Sequence, residues 1–362
     1  MEEQKIGFIK NFTPIWFATV LGFGGIAVAS VLVAKIFGLL WLNPFAVFLA
    51  YFNLVLFIFL FSVWMLKQLL HFNSFIGELK HPIIAGFHSL MPAAAIMIAI
   101  NFSNIGPAFF LWQYQNISIF FWIIGAAFEF VLLTLTVYFL IVNEKMHIDF
   151  VNGGWLVPPV AALLTPVAGL KLVEFISYGP LAKTVLWVNY FFFGAGLFVF
   201  LLIAVALFSK IFFFKKLDPK VFPSFWIILV PFSLIALSLS LFAKETGIYL
   251  PEFKNALMGI TSLTNPMLIG AGIWLLVLLI ILTYHYLKRI ELRYGVGWWA
   301  FVFPTASVSI ASLNQAVLFK DSFFAYCGFA VYLFLIIITL VVLLRTIKSF
   351  LLKAKGVHAN KA

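Results

Sequence analysis

Ten apolar stretches, each long enough to cross a bilayer as a helix, dominate this chain: residues 12–34, 45–66, 82–101, 117–142, 151–170, 184–209, 221–243, 264–287, 294–319 and 322–344. About 20 helical residues cover the roughly 30 Å of hydrocarbon, and Glu129 is the one charged residue inside any of the ten. Backbone N–H and C=O groups cannot be left unpaired in lipid, so such a chain is confined to spanning helices. The expected fold is an all-α integral membrane protein with ten transmembrane helices. With 64% hydrophobic and 10% charged residues, no interval can hold a separate soluble domain. Residues 1–362 therefore read as a single transmembrane domain, with 345–362 a basic tail. The opening MEEQKIGFIKNF lacks a short apolar core followed by a small-residue cleavage site, so the first span reads as retained.

The net charge of +11 could suggest nucleic acid, but the Lys and Arg residues are scattered in short groups between apolar runs. That is the pattern of membrane topology. Assigning alternate connections to one face puts 17 of the 23 basic residues on the side holding both termini and 6 on the other. The positive-inside rule then makes both termini cytoplasmic, in a plasma or inner membrane, and supports an even number of spans. A single cysteine, Cys327, excludes an internal disulfide framework. The tail could rest on anionic lipid; an ordinary cytoplasmic tail accounts for it equally.

A second pattern alternates along the chain. Prolines inside the spans, among them Pro14, Pro92, Pro158, Pro159, Pro166, Pro231 and Pro304, fall in odd-numbered helices, and the even helices hold only Pro266. Gly, Ala, Ser and Thr fill 40 of 112 odd-span positions but 26 of 121 even-span positions. Proline frees a carbonyl and kinks a helix, which a bilayer tolerates where protein or a water-filled cavity surrounds it. Small residues let helices approach closely. The odd helices are thus expected to form an inner layer and the Leu- and Phe-rich even helices an outer one. The first prolines of the odd spans, at 14, 82, 158, 223 and 304, recur at intervals suited to one helical hairpin plus loops. Five hairpins could close their kinked members into a ring around a pore; the alternative is a solid bundle whose prolines only pack.

Four odd helices end beside a lysine, Lys35, Lys171, Lys244 or Lys320. Around a pore these would give its outer mouth a positive potential that concentrates anions. The same lysines could offset helix dipoles or snorkel to the interface. No Lys or Arg lies within a span, so nothing would hold an anion firmly at mid-membrane, which suits a channel better than a tightly binding carrier. Glu129 in the fourth helix is a candidate proton site, against a structural role at a helix or subunit interface. His88, on the third, is the other titratable group to weigh. HExxH, CxxC, GxxxxGK[ST] and GxSxG are all missing from the sequence, so no cofactor, no metal and no enzymatic activity are expected.

The run Trp298–Pro304, WWAFVFP, resembles the ninth-helix motif of the tellurite-resistance and dicarboxylate transporter family, which includes bacterial TehA, plant slow anion channels, and fungal malate and sulfite transporters. TPIWFATVLGFGGIA, HPIIAGF, GGWLVPPVAALLTPVAG and FWIILVP agree with it in order along the other odd helices. The resemblance spans essentially the whole chain. It implies ten helices as five hairpins, a pore through each protomer, a homotrimer, and passage of chloride, nitrate, sulfite or four-carbon dicarboxylates. It also implies a pore-blocking phenylalanine on the ninth helix, Phe303 here. Phe17, His88, Pro159 and Pro231 are the lining residues expected from the other inner helices, with Pro304 beside Phe303. Expected partners are small anions, lipid and two further copies of the chain, and no nucleic acid. An uncharged, Phe-gated anion channel and a secondary carrier for dicarboxylates or sulfite, with or without proton coupling, both fit these features; a non-transporting sensor has no partner domain to support it.

Overall fold

The computed structural model describes residues 9–109, 113–176, 179–289 and 292–354. Among these the secondary structure is entirely helical. Ten helices are long and apolar enough to span a membrane: α1 (Pro14–Phe37), α2 (Leu42–Leu70), α3 (Ala85–Pro107), α4 (Tyr114–Val142), α5 (Gly153–Phe175), α6 (Pro180–Phe214), α7 (Phe222–Tyr249), α8 (Pro251–Arg289), α9 (Val296–Phe319) and α10 (Ser322–Leu352). A short helix, Phe72–Lys80, lies between α2 and α3. Arg345 and the residues up to Ala354 continue the last helix; the remainder of the basic tail falls outside the described residues.

Burial separates the two sets of helices. In α1, α3, α5, α7 and α9, 83, 94, 94, 67 and 83% of the most apolar window is buried, against 33, 44, 28, 28 and 33% in the even helices. Even helices turn Phe48, Phe130, Phe198, Trp274 and Phe323 outward, apolar surface that hydrocarbon covers. Each odd helix packs against the even helix that follows it, and the odd helices touch one another in the cyclic order α1, α3, α5, α7, α9, α1.

All five odd helices begin as 3-10 segments before relaxing to α geometry: Pro14–Trp16, Ala85–Ser89, Gly153–Leu156, Phe222–Leu229 and Val296–Phe301. These segments contact one another in the same cyclic order as the helices they open. Pro14 and Pro223 occupy first-turn positions, where the missing N–H removes no intrahelical bond. Glycine is required where backbones meet: a Cβ on Gly153 would fall 2.1 Å from the Ser224 carbonyl oxygen, and one on Gly86 2.2 Å from that of Gly154.

Side chains from the outer layer tie the inner helices in place. Asn53 of α2 donates to the Val20 carbonyl (2.9 Å) and to Asn101 Oδ1 (3.0 Å), and Asn101 donates to the Gly24 carbonyl (2.9 Å). Trp122 of α4 donates to the Thr165 carbonyl of α5, and Asn265 of α8 to Gln315 of α9. Such bonds fix helix register where apolar packing alone is permissive.

Candidate functional site

Two cavities lie among the odd helices. The first, of about 400 Å³, is lined by the opening turns of all five, including Ile15, Phe87, Val157, Ile227 and Trp299. The second, of about 600 Å³, lies toward their other ends, among Val28, Met97, Leu164, Leu234 and Ile310. Phe303 is the residue common to the two linings. Its ring is 6% exposed and stands one residue before Pro304, where α9 has just passed from 3-10 to α geometry.

The cavities differ in polarity. Around the first, Lys220 at the rim is the one charged group among the described residues, amid Thr13, Ser224 and a largely apolar wall. The second has Asn104, Ser240, Ser307 and Asn314 on its walls and Lys171, Lys244 and Lys254 toward its mouth. The walls offer few free donors, because Ser307 donates to the Pro304 carbonyl, Ser240 to that of Ala236, and Asn314 to that of Ile310. Lys244 is ion-paired with Glu174, and its Nζ lies 3.4 Å from the buried Glu245 carboxylate.

Of the expected lining residues, Phe303 and Pro304 face a cavity, and Phe17, His88, Pro159 and Pro231 line neither. Phe17 is fully buried in an aromatic cluster, 6.3 Å from Phe12 and 5.8 Å from Phe57 between ring centroids. Adjacent residues Val160 and Val230 take the lining positions expected of Pro159 and Pro231. Lys171 and Lys244 line the second cavity, whereas Lys35 and Lys320 are exposed residues outside its wall. Lys320 closes α9 at φ 54°, the left-handed conformation of a helix C-cap. The sequence does not single out Glu174 and Glu245, because the apolar windows end at 170 and 243 while the helices run on to Phe175 and Tyr249, nor Lys254, because α8 begins at Pro251, well before the window that opens at 264.

His88 belongs to a polar wedge away from both cavities. Its Nε2 is 3.3 Å from Glu78 Oε2. The buried Lys67 ammonium donates to Glu78 Oε1 (2.6 Å) and to the Phe12 carbonyl (2.7 Å). Burial by itself would raise the Glu78 carboxyl, but His88 and Lys67 outweigh it and hold the group below the ordinary carboxylate value. Glu129 is also fully buried and off the cavities; Ser89 faces it, and neither carboxyl oxygen completes a hydrogen bond.

The spans and their burial define a multi-pass membrane protein, and comparison with known sequences specifies which kind. The chain belongs to the voltage-dependent anion channel family, whose sequence profile matches residues 11–347. It is 29% identical over 350 residues to uncharacterized transporter MJ0576 of Methanocaldococcus jannaschii, covering 95% of each chain. A second transporter of that organism, MJ0762, is 29% identical over 94% of this chain and 96% of its own. The sulfite efflux pump SSU1 of Arthroderma benhamiae is 23% identical over 88% of this chain and 86% of its own.

Proposed function

We propose that the protein is an anion channel whose path runs along the axis of the odd-helix ring and is occluded by Phe303. One observation carries the reading: a single aromatic side chain borders both cavities, so its ring stands between two spaces that together extend toward both ends of the inner helices. An apolar plug of this size excludes hydrated ions until it rotates aside. The absence of Lys and Arg from the interior of the path, with lysines at its wider end, suits weak binding and fast passage. The permeant species in this reading are small anions such as chloride or nitrate. The first cavity opens to the cytoplasm, as do both termini, in the plasma or inner membrane, and the channel assembles as a homotrimer with one pore per protomer.

The test is flux and reversal potential in reconstituted vesicles, wild type against Phe303→Ala, under chloride, nitrate and malate gradients. A large, pH-independent rise in anion conductance in the variant is the expected result. A silent variant that is folded would overturn the occlusion.

A second reading, a proton-linked carrier exporting sulfite or four-carbon dicarboxylates, is favoured by two observations: the sulfite efflux pump relatives and the unpartnered carboxyl of Glu129. It predicts saturable flux that follows the proton gradient.

A further inference from the structure

Three lysines face the mouth of the second cavity, but they do not present three equal charges. Lys244 is ion-paired with Glu174 and approached to 3.4 Å by Glu245. Glu245 is fully buried, so its carboxylate cannot swing away into solvent. Lys254 stands exposed at the rim, where water and salt screen its ammonium. Lys171 is half-buried in the wall; among the described residues no carboxylate lies within ion-pair distance of it, but Glu174 and Glu245 both attract its ammonium at longer range. Lys171 precedes Glu174 by one helical turn on α5, and Lys244 and Glu245 are neighbours on α7, so the four groups converge where the two helices end.

We infer that Glu174 and Glu245 are specificity-determining residues: their two negative charges offset those of Lys244, by direct contact, and Lys171, at longer range, which strips the mouth of net positive charge and favours monoanions over dianions. A dianion interacts with each fixed charge twice as strongly as a monoanion, so the number of uncompensated ammonium groups sets the ratio between them. Two lysines free of carboxylates would suit a doubly charged oxyanion or dicarboxylate; two lysines offset by two carboxylates do not. Serine and asparagine on the wall cannot take over this role, because they carry no charge, and the Ser240 and Ser307 hydroxyls and one N–H of the Asn314 amide are engaged with their own helix backbones. This inference rests on the anion-channel reading above and adds the charge class that the path prefers.

The experiment uses the full chain carrying Phe303→Ala in planar bilayers, with chloride and sulfate as the probe anions and potassium as the common cation. Glu174→Gln with Glu245→Gln is expected to raise the sulfate-to-chloride permeability ratio about threefold or more. Lys171→Gln and Lys244→Gln each remove one positive charge and are each expected to lower chloride-over-potassium selectivity at low salt, an effect that fades at high ionic strength. An unchanged sulfate-to-chloride ratio in the double variant overturns the inference. Should that variant not fold, chloride-over-potassium selectivity unchanged in both lysine variants overturns it by itself. If the Phe303→Ala background carries no anion current at all, the channel reading fails and the inference falls with it; current with unaltered selectivity removes the inference alone.

Discussion

Gly25 of α1 lies directly against Phe303 and Ala306 of α9: a methyl group at position 25 would sit 3.5 Å from Phe303 Cδ2 and 2.7 Å from Ala306 Cβ. The second distance is shorter than real Cβ contacts allow, and Ala306 cannot move without its helix. Gly25→Ala therefore pushes α9 outward at the level of the Phe303 ring. Overpacking of this kind destabilises by about 1–3 kcal/mol, and the displaced ring seals less well. The expected outcome is a lower thermal midpoint in detergent together with a raised anion leak in vesicles. An unshifted midpoint with no leak would show that the α1–α9 contact yields freely.

Phe303 and Phe17 provide a paired comparison. Phe17 is surrounded by protein, with Phe12 and Phe57 within ring-contact distance, and truncating such a ring costs about 3–5 kcal/mol. Phe303 borders open space on two sides, so fewer contacts are lost. Phe303→Ala is expected to keep most of the thermal stability and to increase conductance. Phe17→Ala is expected to lower the thermal midpoint markedly without opening the path. The check is thermal unfolding and chloride flux on both variants side by side; a Phe17→Ala variant that also conducts would count against Phe303 as the seal.

The span pattern, and the division into inner and outer helices, were legible because both rest on composition. Proline and small residues concentrate in helices that are later found buried, and Phe-rich faces point outward. Which side of an inner helix faces the axis was not legible. A helix that is apolar all round carries no phase signal, so Phe17, Pro159 and Pro231 were placed by position alone, and their neighbours Val160 and Val230 line the cavity instead. Phe303 as a residue of the cavity wall was legible through the WWAFVFP motif. The Glu174 and Glu245 carboxylates had a weak signal, the Lys171–Glu174 spacing of three and the adjacent Lys244–Glu245 pair, which the end of the apolar windows cut off. The His88–Glu78 approach joins groups from two different elements, and nothing in the linear order announces it.

Glu78 gives a prediction in pH. Its carboxyl lies below the ordinary value in the folded protein, so the ionised form favours folding relative to the unfolded chain. That contribution is complete above the unfolded carboxylate value of about 4.3 and is lost as pH falls through the lower folded value. Glu78→Gln removes the charge but leaves Lys67 its bond to the Phe12 carbonyl. The variant should therefore melt below wild type at pH 7, by an amount matching a charged hydrogen bond of about 1.5–3 kcal/mol, and the gap should begin to narrow as pH falls past about 4.3 and vanish below the lowered folded value. Thermal unfolding of both proteins from pH 7 to pH 3 checks this; a gap independent of pH would assign the loss to packing.

Glu129 separates the two transport readings. Its carboxyl is fully buried without a completed hydrogen bond, and it lines neither cavity. Replacing an unsatisfied buried polar group with an apolar one of similar size removes a desolvation penalty of about 1–3 kcal/mol. Under the channel reading, Glu129→Leu should raise the thermal midpoint and leave chloride current through the Phe303→Ala path intact and independent of pH. A proton-linked carrier needs a titrating group, and in that case the same substitution should abolish the response of flux to a proton gradient while the protein remains folded. The measurement is anion uptake into vesicles with and without an imposed pH difference, wild type against variant. A stabilised variant with undiminished, pH-independent flux excludes Glu129 from transport and leaves the axis past Phe303 as the route.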